Sequence, residues 1–360
     1  MKMNDVNFQR FLVWRAFLLV VLGMLILNFA VVFHKIKMFI IGVVYFLLCN
    51  DKSWKKPSDA QLVFKTLMQT EEGQRKIKRK TIVFVRHGES TWNDTFNKGA
   101  HRSALTFAVG FLPSLVNAFL YELLLAGKMD SWFYDSPLSH LGLNQVKQLG
   151  HFLQTNNSIT ANTKNESSII RIMRGDKDAP ASKLVSSNLR RAISTMAAAF
   201  HDRLQKNSSD SILVLPSLQE ISRNPDTLSL SIPFSPVNAS WIEKQRHDVC
   251  DFDTILAKRV DVRRNSGNKP VSTNGLKRML EFCDTVFTSI DEDYVIVGGH
   301  SIWFRSFFKT FLPNTSMHVS KRKKIVNAGC VSFTLMTAEV DKKRHYMIDE
   351  ESIQVIYGGF

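Results

Sequence analysis

The segment Thr81-Ile-Val-Phe-Val-Arg-His-Gly-Glu-Ser-Thr-Trp-Asn93 carries the strongest structural signal in this chain of 360 residues. Residues 81–85 are a short apolar run typical of a buried strand. Arg86, His87 and Gly88 follow directly, where the strand would open into a loop. Ligands bind at the carboxyl ends of strands in parallel α/β sheets. A guanidinium beside a neutral imidazole suits one task there, which is to clamp a phosphoryl group while a ring nitrogen attacks its phosphorus.

The longer string Arg86-His-Gly-Glu-Ser-Thr-Trp-Asn93 resembles the signature of the histidine phosphatase superfamily, which includes the phosphoglycerate mutases. The resemblance implies that His87 is the nucleophile and that Arg86 and Asn93 contact the phosphate. Glu89 has a less defined role, and we expect it to brace an arginine.

Two further segments resemble elements of this family. Ser186-Ser-Asn-Leu-Arg-Arg-Ala-Ile-Ser-Thr195 matches Ser-Ser-x-Leu-x-Arg-Ala-x-x-Thr, and this alignment implies that Arg191, not Arg190, holds the phosphate. His300 directly follows Tyr294-Val-Ile-Val-Gly-Gly299, where the family carries its second active-site histidine, although Ser301 replaces the glycine that often comes next. Without the surrounding residues that match the family's motifs, the two arginines would be interpreted as a solvated helix face and His300 as a hydrogen-bonded core residue.

Phosphoryl transfer also requires a proton for the leaving oxygen. Glu220, in Leu215-Pro-Ser-Leu-Gln-Glu-Ile221, falls where the family places its acid, so the resemblance implies that it is the donor. A carboxylate beside two arginines normally loses its proton, and burial or substrate charge would have to keep Glu220 protonated. A surface loop residue is the alternative interpretation.

The resemblance covers roughly residues 80–340. The segment Asp135-Ser-Pro-Leu-Ser-His-Leu-Gly-Leu-Asn-Gln145 restores the family pattern between two expected insertions, at about 98–133 and 155–180. We therefore expect a catalytic domain at 81–345 and a C-terminal tail at 346–360. The expected fold is α/β, a three-layer sandwich with a mostly parallel sheet and helices on both faces. Its predicted strands lie at about 81–85, 183–186, 212–215, 294–298 and 329–335.

The first fifty residues predict a membrane anchor. Residues 16–33 contain no charge and are just long enough to cross a bilayer, so we expect an N-terminal transmembrane helix there. A second apolar segment, 38–49, has a length that better suits an interfacial or re-entrant position. A buried core helix would rarely be apolar on every face, and no small-x-small site indicates a cleaved signal peptide.

The distribution of charge predicts the orientation of this single-pass or hairpin anchor. The lysines at 35, 37, 52, 55 and 56 outnumber Lys2, Arg10 and Arg15, so the positive-inside rule favours a cytosolic catalytic domain. Asn-x-Ser/Thr sequons would allow the opposite, luminal orientation. They include Asn156, Asn165, Asn207, Asn238 and Asn314.

Composition narrows the possible partners. The chain is 44% hydrophobic, enough for one sizeable domain plus extensions, and its formal net charge is +15. Together with a basic linker at 51–80, this charge favours anionic membrane lipids. No recognisable nucleic-acid-binding motif appears, so we expect no nucleic acid partner. The four cysteines show no paired spacing, and no residue cluster or glycine loop indicates a metal or a cofactor.

These features predict a membrane-anchored phosphomonoester hydrolase, a phosphoglycerate mutase-like or histidine acid-type phosphatase. A mutase is the main enzymatic alternative, but the Tyr-Gly and Gly-Leu-Asn-Lys runs that follow the acid in the family's mutases are absent after Glu220. A membrane scaffold that only binds phosphorylated ligands is the third hypothesis. The apolar insertion 103–126 is expected to cover the active site, rest on the membrane or pack in the core. A lipid phosphate, an inositol phosphate, a sugar phosphate and a phosphoprotein all remain open as substrates.

Overall fold

The computed structural model describes residues 10–16, 18–19, 23, 26, 28–57, 60–99, 102–155 and 164–360. The predicted span at 16–33 therefore lies partly outside the described residues. What the structure describes of that span from Phe29 onward belongs to a longer helix, which is discussed below.

Within the described part of the chain, seven strands form one sheet in the order β4-β3-β2-β5-β1-β6-β7. They are β1 (Lys78–Arg86), β2 (Ser182–Ser187), β3 (Ile212–Leu215), β4 (Val260–Asp261), β5 (Tyr294–Gly299), β6 (Cys330–Val340) and β7 (Lys343–Tyr357). All five strands expected from the sequence are present, and their starts lie within three residues of the predicted ones, but β1 and β6 extend further than expected. The parallel pairing of β1 with β5 sets Arg86 opposite Gly299, so the segments after these two strands leave the sheet side by side.

The sheet is mixed, and the expectation that it would be mostly parallel is wrong. β6 runs antiparallel to β1, and β7 runs antiparallel to β6, so the two longest strands form a hairpin at one edge. Asp341 and Lys342 join them with φ angles of 51° and 62°. Two successive residues with positive φ are typical of the type I′ turn, whose twist matches a two-residue hairpin. Residues 346–360, expected as a tail, consequently form most of β7.

Helices pack on both faces of this sheet. They are α1 (Phe29–Leu48), α2 (Ala60–Met68), α3 (Glu71–Arg75), α4 (Thr91–Phe96), α5 (Ala104–Leu124), α6 (His140–Thr155), α7 (Lys164–Arg174), α8 (Arg190–Ala199), α9 (His201–Lys206), α10 (Phe252–Arg259), α11 (Gly275–Thr288) and α12 (Ser301–Phe311). One buried core contains side chains of α6, α7, α8 and α10, and the other contains those of α11 and α12. The second core is aromatic: Phe84 of β1 stacks on Phe304 with 4.0 Å between ring centroids.

The segment 51–80 is not a separate linker. It contains α2, α3 and the start of β1, and Phe64 of α2 is fully buried against Ile77, Met336 and Ala338. Asp51 is also fully buried and forms ion pairs with Lys269 and Arg278. The folded domain therefore begins well before residue 81.

Among the residues that the structure describes, two helices are long and apolar enough to cross a membrane by length and composition. They are α1, with 20 residues, and α5, with 21 residues in the first insertion; both are largely unburied. Residues 38–48 lie within α1, so they do not form the short separate segment that we expected. The second insertion contains α7, while residues 156–163 lie outside the described part of the chain.

Candidate active site

His87 and His300 lie side by side at the carboxyl edge of the sheet. His87 directly follows β1 and its N–H donates to the carbonyl of Gly299, the last residue of β5, at 3.0 Å. His300 comes next along the chain and precedes α12. The two imidazole rings are 5.1 Å apart between centroids. Neighbouring parallel strands therefore bring together two histidines that are separated by more than two hundred residues.

The local structure fixes the tautomer of His87. Its Nδ1 lies 2.5 Å from the carbonyl oxygen of Gly88, and because a carbonyl oxygen only accepts, Nδ1 must carry the hydrogen. Burial lowers the pKa of His87 well below its ordinary value, and the charges of Arg191 and Arg86 lower it further. The ring is therefore neutral at neutral pH, with its lone pair on Nε2. This is the form of an imidazole that can act as a nucleophile.

His300 is fully buried behind His87. Its Nε2 lies 2.8 Å from the hydroxyl of Ser187, the second serine of the Ser-Ser motif at the end of β2. Burial lowers the pKa of His300 well below its ordinary value, with further contributions from Arg191 and His87. The Nδ1 atom has no hydrogen-bond partner within the described part of the chain. A buried polar atom of this kind is available to a ligand that enters beside His87.

Arg86 and Arg191 supply positive charge to the same place. The Nη1 atom of Arg86 donates to the Ile325 carbonyl at 2.7 Å, and that of Arg191 donates to the Asp226 carbonyl at 2.7 Å. The Nε atom of each guanidinium is buried without a hydrogen-bond partner among the described residues. Burial lowers the pKa of Arg86 to about 10, so it still carries its charge at neutral pH. In both side chains the Nε–H group is therefore available to donate to an anion.

Arg190 has a different task from that of its neighbour. It forms an ion pair with Asp130 at 2.5 Å and donates to the backbone carbonyls of Asp135 and Ser131. Every one of these partners lies in the segment that precedes α6. Arg190 therefore fixes that segment against α8, while Arg191 lines the cavity beside His87.

The segment that resembles the family pattern at 135–145 holds the loop after His87 in place. The Ser139 N–H donates to the Glu89 carbonyl at 2.9 Å, and the Gln145 side chain accepts from the Glu89 N–H at 2.9 Å. From the other side, the Thr195 hydroxyl accepts from the Gly88 N–H at 3.1 Å. The serine, glutamine and threonine of these motifs therefore position the backbone next to His87.

Gly142 permits this close contact between α6 and the loop. A Cβ atom at position 142 would lie 2.0 Å from the Glu89 carbonyl oxygen, a distance that no side chain can occupy. We predict that Gly142→Ala destabilises the protein by about 1–3 kcal/mol, because the backbone must shift to admit the methyl group. It should also lower turnover, since the shift moves the residue two positions after His87.

The matched control for this substitution is Gly110→Ala. Gly110 is likewise within a helix, but a Cβ atom there would meet nothing within 4 Å. Thermal unfolding of the full-length chain in detergent would compare the two variants. Equal unfolding temperatures for Gly142→Ala and the wild type would contradict the packing argument.

Glu220 lies in the cavity wall, but its carboxylate is committed to backbone donors. One oxygen accepts from the N–H groups of Trp303 and Ile221 at 2.8 and 2.9 Å, and the other accepts from Ile302 at 3.2 Å. Two of these donors belong to the first turn of α12, whose N-terminal N–H groups lack partners within the helix. Glu220 thus ties the loop after β3 to the helix after His300.

Asp226 is a second carboxyl group in the cavity wall, and the sequence analysis did not select it. Its Oδ2 lies 3.2 Å from Arg191, while its Oδ1 is buried without a partner among the described residues. Burial raises the pKa of Asp226 to about 6, because desolvation and the charge of Glu220 outweigh the attraction of Arg191. A carboxyl group with this pKa exchanges protons near neutral pH.

The open space in front of His87 is a cavity of about 650 Å³. Asn93 lies in its wall, in the first turn of α4, which the Ser90 hydroxyl caps. Lys324 and Asn327 also line it, and the Asn327 side chain donates to the His87 carbonyl at 3.2 Å. These two residues, which the sequence analysis missed, come from the segment before β6. Glu89 also lines the cavity, and its negative charge raises the pKa of Arg86.

Comparisons with known proteins add a likeness of fold. No family model and no curated protein matches this chain. Solved structures of phosphatases are similar to it: a mycobacterial glucosyl-3-phosphoglycerate phosphatase in complex with VO3 has 12% identity, with 78% of this chain and 100% of that chain covered and a TM-score of 0.35. An ecdysone phosphate phosphatase from Bombyx mori in complex with tungstate has 14% identity, with 77% and 91% covered and a TM-score of 0.33.

A third similar structure is a phosphoserine phosphatase from Entamoeba histolytica in complex with 3-phosphoglyceric acid. It has 13% identity, with 75% of this chain and 95% of that chain covered and a TM-score of 0.31. Identities and TM-scores this low assign no activity to this chain. The functional argument therefore rests on the geometry of the site.

Proposed function

We propose that this chain is a phosphomonoester hydrolase of the histidine phosphatase superfamily that works through a phosphohistidine on His87. One observation carries the proposal: a neutral imidazole with a fixed tautomer lies in an open cavity beside two arginines that keep unused donors. A nucleophile and a cluster of positive charge are the two requirements of this chemistry.

The reaction has two steps. Arg86, Arg191 and His300 hold the phosphoryl oxygens with Asn93, and the lone pair on Nε2 of His87 attacks phosphorus. The N–P bond forms as the P–O ester bond breaks, and the leaving oxygen takes a proton from a carboxyl group. Water then attacks phosphorus and returns a proton to that carboxylate. The N–P bond breaks, which releases inorganic phosphate and restores neutral His87.

Two carboxyl groups are candidates for the proton donor. Glu220 occupies the position that the family resemblance implies, but both of its oxygens accept backbone hydrogen bonds. Asp226 has one buried oxygen without a described partner and a pKa of about 6. Since a donor must hold a proton at the operating pH, we assign the acid role to Asp226 and a positioning role to Glu220.

The test compares leaving groups over a range of pH. An alkyl phosphate needs a protonated leaving oxygen, whereas an aryl phosphate needs it much less. The ratio of alkyl to aryl kcat should fall as the pH rises above about 6, because Asp226 loses its proton there. Asp226→Asn should lower alkyl phosphate kcat by about 10² or more and remove this pH dependence of the ratio.

Glu220→Gln is the matched variant, because it also removes one carboxylate from the cavity wall. It should lower both kcat values by a similar factor and retain the pH dependence of their ratio. The opposite pattern, with the pH dependence lost in Glu220→Gln only, would return the acid role to Glu220. Transfer of the phosphoryl group to a second alcohol without release of phosphate would favour a mutase.

We also propose that the domain is held at a membrane with its active site in the cytosol. The apolar composition of the first fifty residues supports the anchor. A span at residues 16–33 would have more basic residues after it than before it, which supports the orientation. Protease added to sealed vesicles from the cytosolic side should then digest the catalytic domain. Glycans on Asn207 or Asn238 in the cellular protein would reverse this orientation.

A further inference from the structure

The helices α1 and α5 expose an unusual amount of apolar surface for elements of a folded domain. On α5, exposed side chains recur every three or four positions and form one stripe. Its members are Leu105, Val109, Leu112, Val116, Leu120 and Leu123, of which Leu105 is 75% exposed. On α1, Phe33, Ile36, Phe39, Ile40 and Phe46 are similarly exposed. Isolated exposed apolar residues are ordinary, whereas rows of them along two neighbouring helices mark a binding surface.

Both helices pack on segments that carry cavity residues. Met38 and Tyr45 of α1 pack on Leu228 and Leu230, which lie close in sequence to the cavity residues Asp226 and Thr227. Phe111 of α5 contacts Phe96 of α4, with 6.3 Å between ring centroids. The same short helix carries the cavity residues Trp92 and Asn93. Each apolar helix therefore packs on a segment that forms part of the cavity wall.

The helices also contact each other. The Lys35 ammonium of α1 forms an ion pair with Glu122 of α5 at 3.2 Å and donates to the Leu125 carbonyl at 2.7 Å. Glu122 in turn accepts from the N–H of Trp132 at 2.8 Å. These contacts fix α1 and α5 relative to each other, so their exposed apolar side chains have a defined position relative to the cavity.

Basic side chains also lie at the cavity. Lys324 lines the cavity and ends the run Lys321-Arg-Lys-Lys324. Burial lowers the pKa of Lys324, and the charges of Arg86 and of Lys52, which lies just beyond the end of α1, lower it further. Lysines close to an apolar surface complement the anionic headgroups of a bilayer.

On these grounds we propose that α1 and α5 insert together into a lipid bilayer, and that the cavity takes the phosphomonoester headgroup of a membrane lipid. An exposed apolar helix face can lie at the boundary of the headgroups and acyl chains without crossing the bilayer, which agrees with the packing of α1 and α5 on the domain. A lipid could present its phosphate to His87 while its acyl chains stay beside the helices. This inference rests on the proposed phosphatase activity and adds its substrate class.

The experiment reconstitutes the full chain into phosphatidylcholine vesicles that contain a small fraction of phosphatidic acid. Turnover of this lipid is compared with that of glycerol phosphate, which has the same ester bond without acyl chains, and of an aryl phosphate. We expect a higher kcat/KM for the lipid than for glycerol phosphate. The double variant Leu112→Glu, Val116→Glu should lower the ratio of lipid to aryl phosphate turnover at least about tenfold, because buried charges oppose insertion of α5.

Leu62→Glu is the matched control. Leu62 is 69% exposed on α2, away from the apolar pair, and its variant should keep the wild-type ratio. A second measurement does not depend on activity: the four native cysteines are buried, so a fluorophore can be attached at Val109→Cys or at Leu62→Cys. Brominated acyl chains should quench the label at position 109 and spare the label at position 62.

Each result bears on a separate claim. Equal quenching at the two positions would overturn insertion of α5. Hydrolysis of glycerol phosphate in preference to the lipid would overturn the lipid substrate but retain the phosphatase. Lack of turnover of all three substrates, the aryl phosphate included, would instead overturn the proposed function itself.

Discussion

Replacing His87 with asparagine should lower kcat for an aryl phosphate by at least about 10³, because it removes the nucleophile of the proposed mechanism. Asparagine is the most informative replacement. Its amide can still donate to the Gly88 carbonyl, as Nδ1 of His87 does, while it has no equivalent of the Nε2 lone pair. Loss of turnover in this variant therefore reports on the chemistry of Nε2 and not on the shape of the loop.

His151→Asn provides the control, since His151 is an exposed residue of α6 far along the helix from the active-site loop. It should have wild-type turnover. Rapid quenching in alkali should trap an acid-labile phosphoenzyme in the wild type and in this control, but not in His87→Asn. A trapped phosphoryl group on another residue, or wild-type turnover by His87→Asn, would contradict the mechanism.

The central pair of strands could be predicted because its signals are local. Residues 81–85 and 294–298 are continuous apolar runs, as expected for strands buried on both faces, and each is followed at once by polar residues with distinctive chemistry. Parallel pairing of these runs was enough to bring His87 and His300 together. Arg191 was also selected from its motif, and its neighbour Arg190 has a structural role.

The opposite edge of the sheet could not be predicted in the same way. The direction of β7 depends on a hairpin turn at Asp341 and Lys342, where lysine stands at the position that usually holds glycine. The direction of β6 relative to β1 is set by tertiary pairing and has no local sequence signal. The error had a consequence for the site. An antiparallel β6 begins at the edge where β1 ends, so the preceding segment delivers Lys324 and Asn327 to the cavity.

Burial of single charged residues is likewise not visible in a sequence pattern. Asp226 lies in a polar loop and looks solvated, although tertiary contacts bury it beside Arg191. Asp51 lies in a basic stretch directly after an apolar helix, which suggested a linker. Its burial depends on Lys269 and Arg278, which come more than two hundred residues later.

Substitution of Asp51 should destabilise the fold more than any other change outside the cavity that we consider. The Asp51 carboxylate is fully buried, with one oxygen 2.5 Å from Lys269 and the other 2.5 Å from Arg278. Asp51→Ala would leave two buried cations without a counter-charge. Breaking a buried ion pair in this way costs about 3–5 kcal/mol.

The same substitution should reduce activity through the loop that carries the proposed acid. The Lys269 ammonium also donates to the carbonyls of Glu220 and Ser222, at 2.6 and 2.8 Å, and Asp51 accepts from the Ser222 N–H at 3.2 Å. Asp51 thus fixes the position of the Lys269 ammonium, which in turn binds the backbone of this loop. Because Asp51 lies just beyond the end of α1, the ion triad also joins the apolar helix to the active site.

Urea unfolding of the full-length chain in detergent, followed by tryptophan fluorescence, measures the predicted loss of stability. Asp248→Asn is the control, because Asp248 pairs with Lys147 and Arg246 at the surface, where ion pairs contribute little to stability.

The double variant Asp51→Ala, Lys269→Met should recover part of the lost stability, since it removes a cation together with its counter-charge. An Asp51→Ala protein as stable as Asp248→Asn would show that the triad does not join α1 to the catalytic fold. Such a result would restore the interpretation of residues 51–80 as a linker. If Asp51→Ala does lose the predicted stability, any shortened chain that stays active must begin before Asp51.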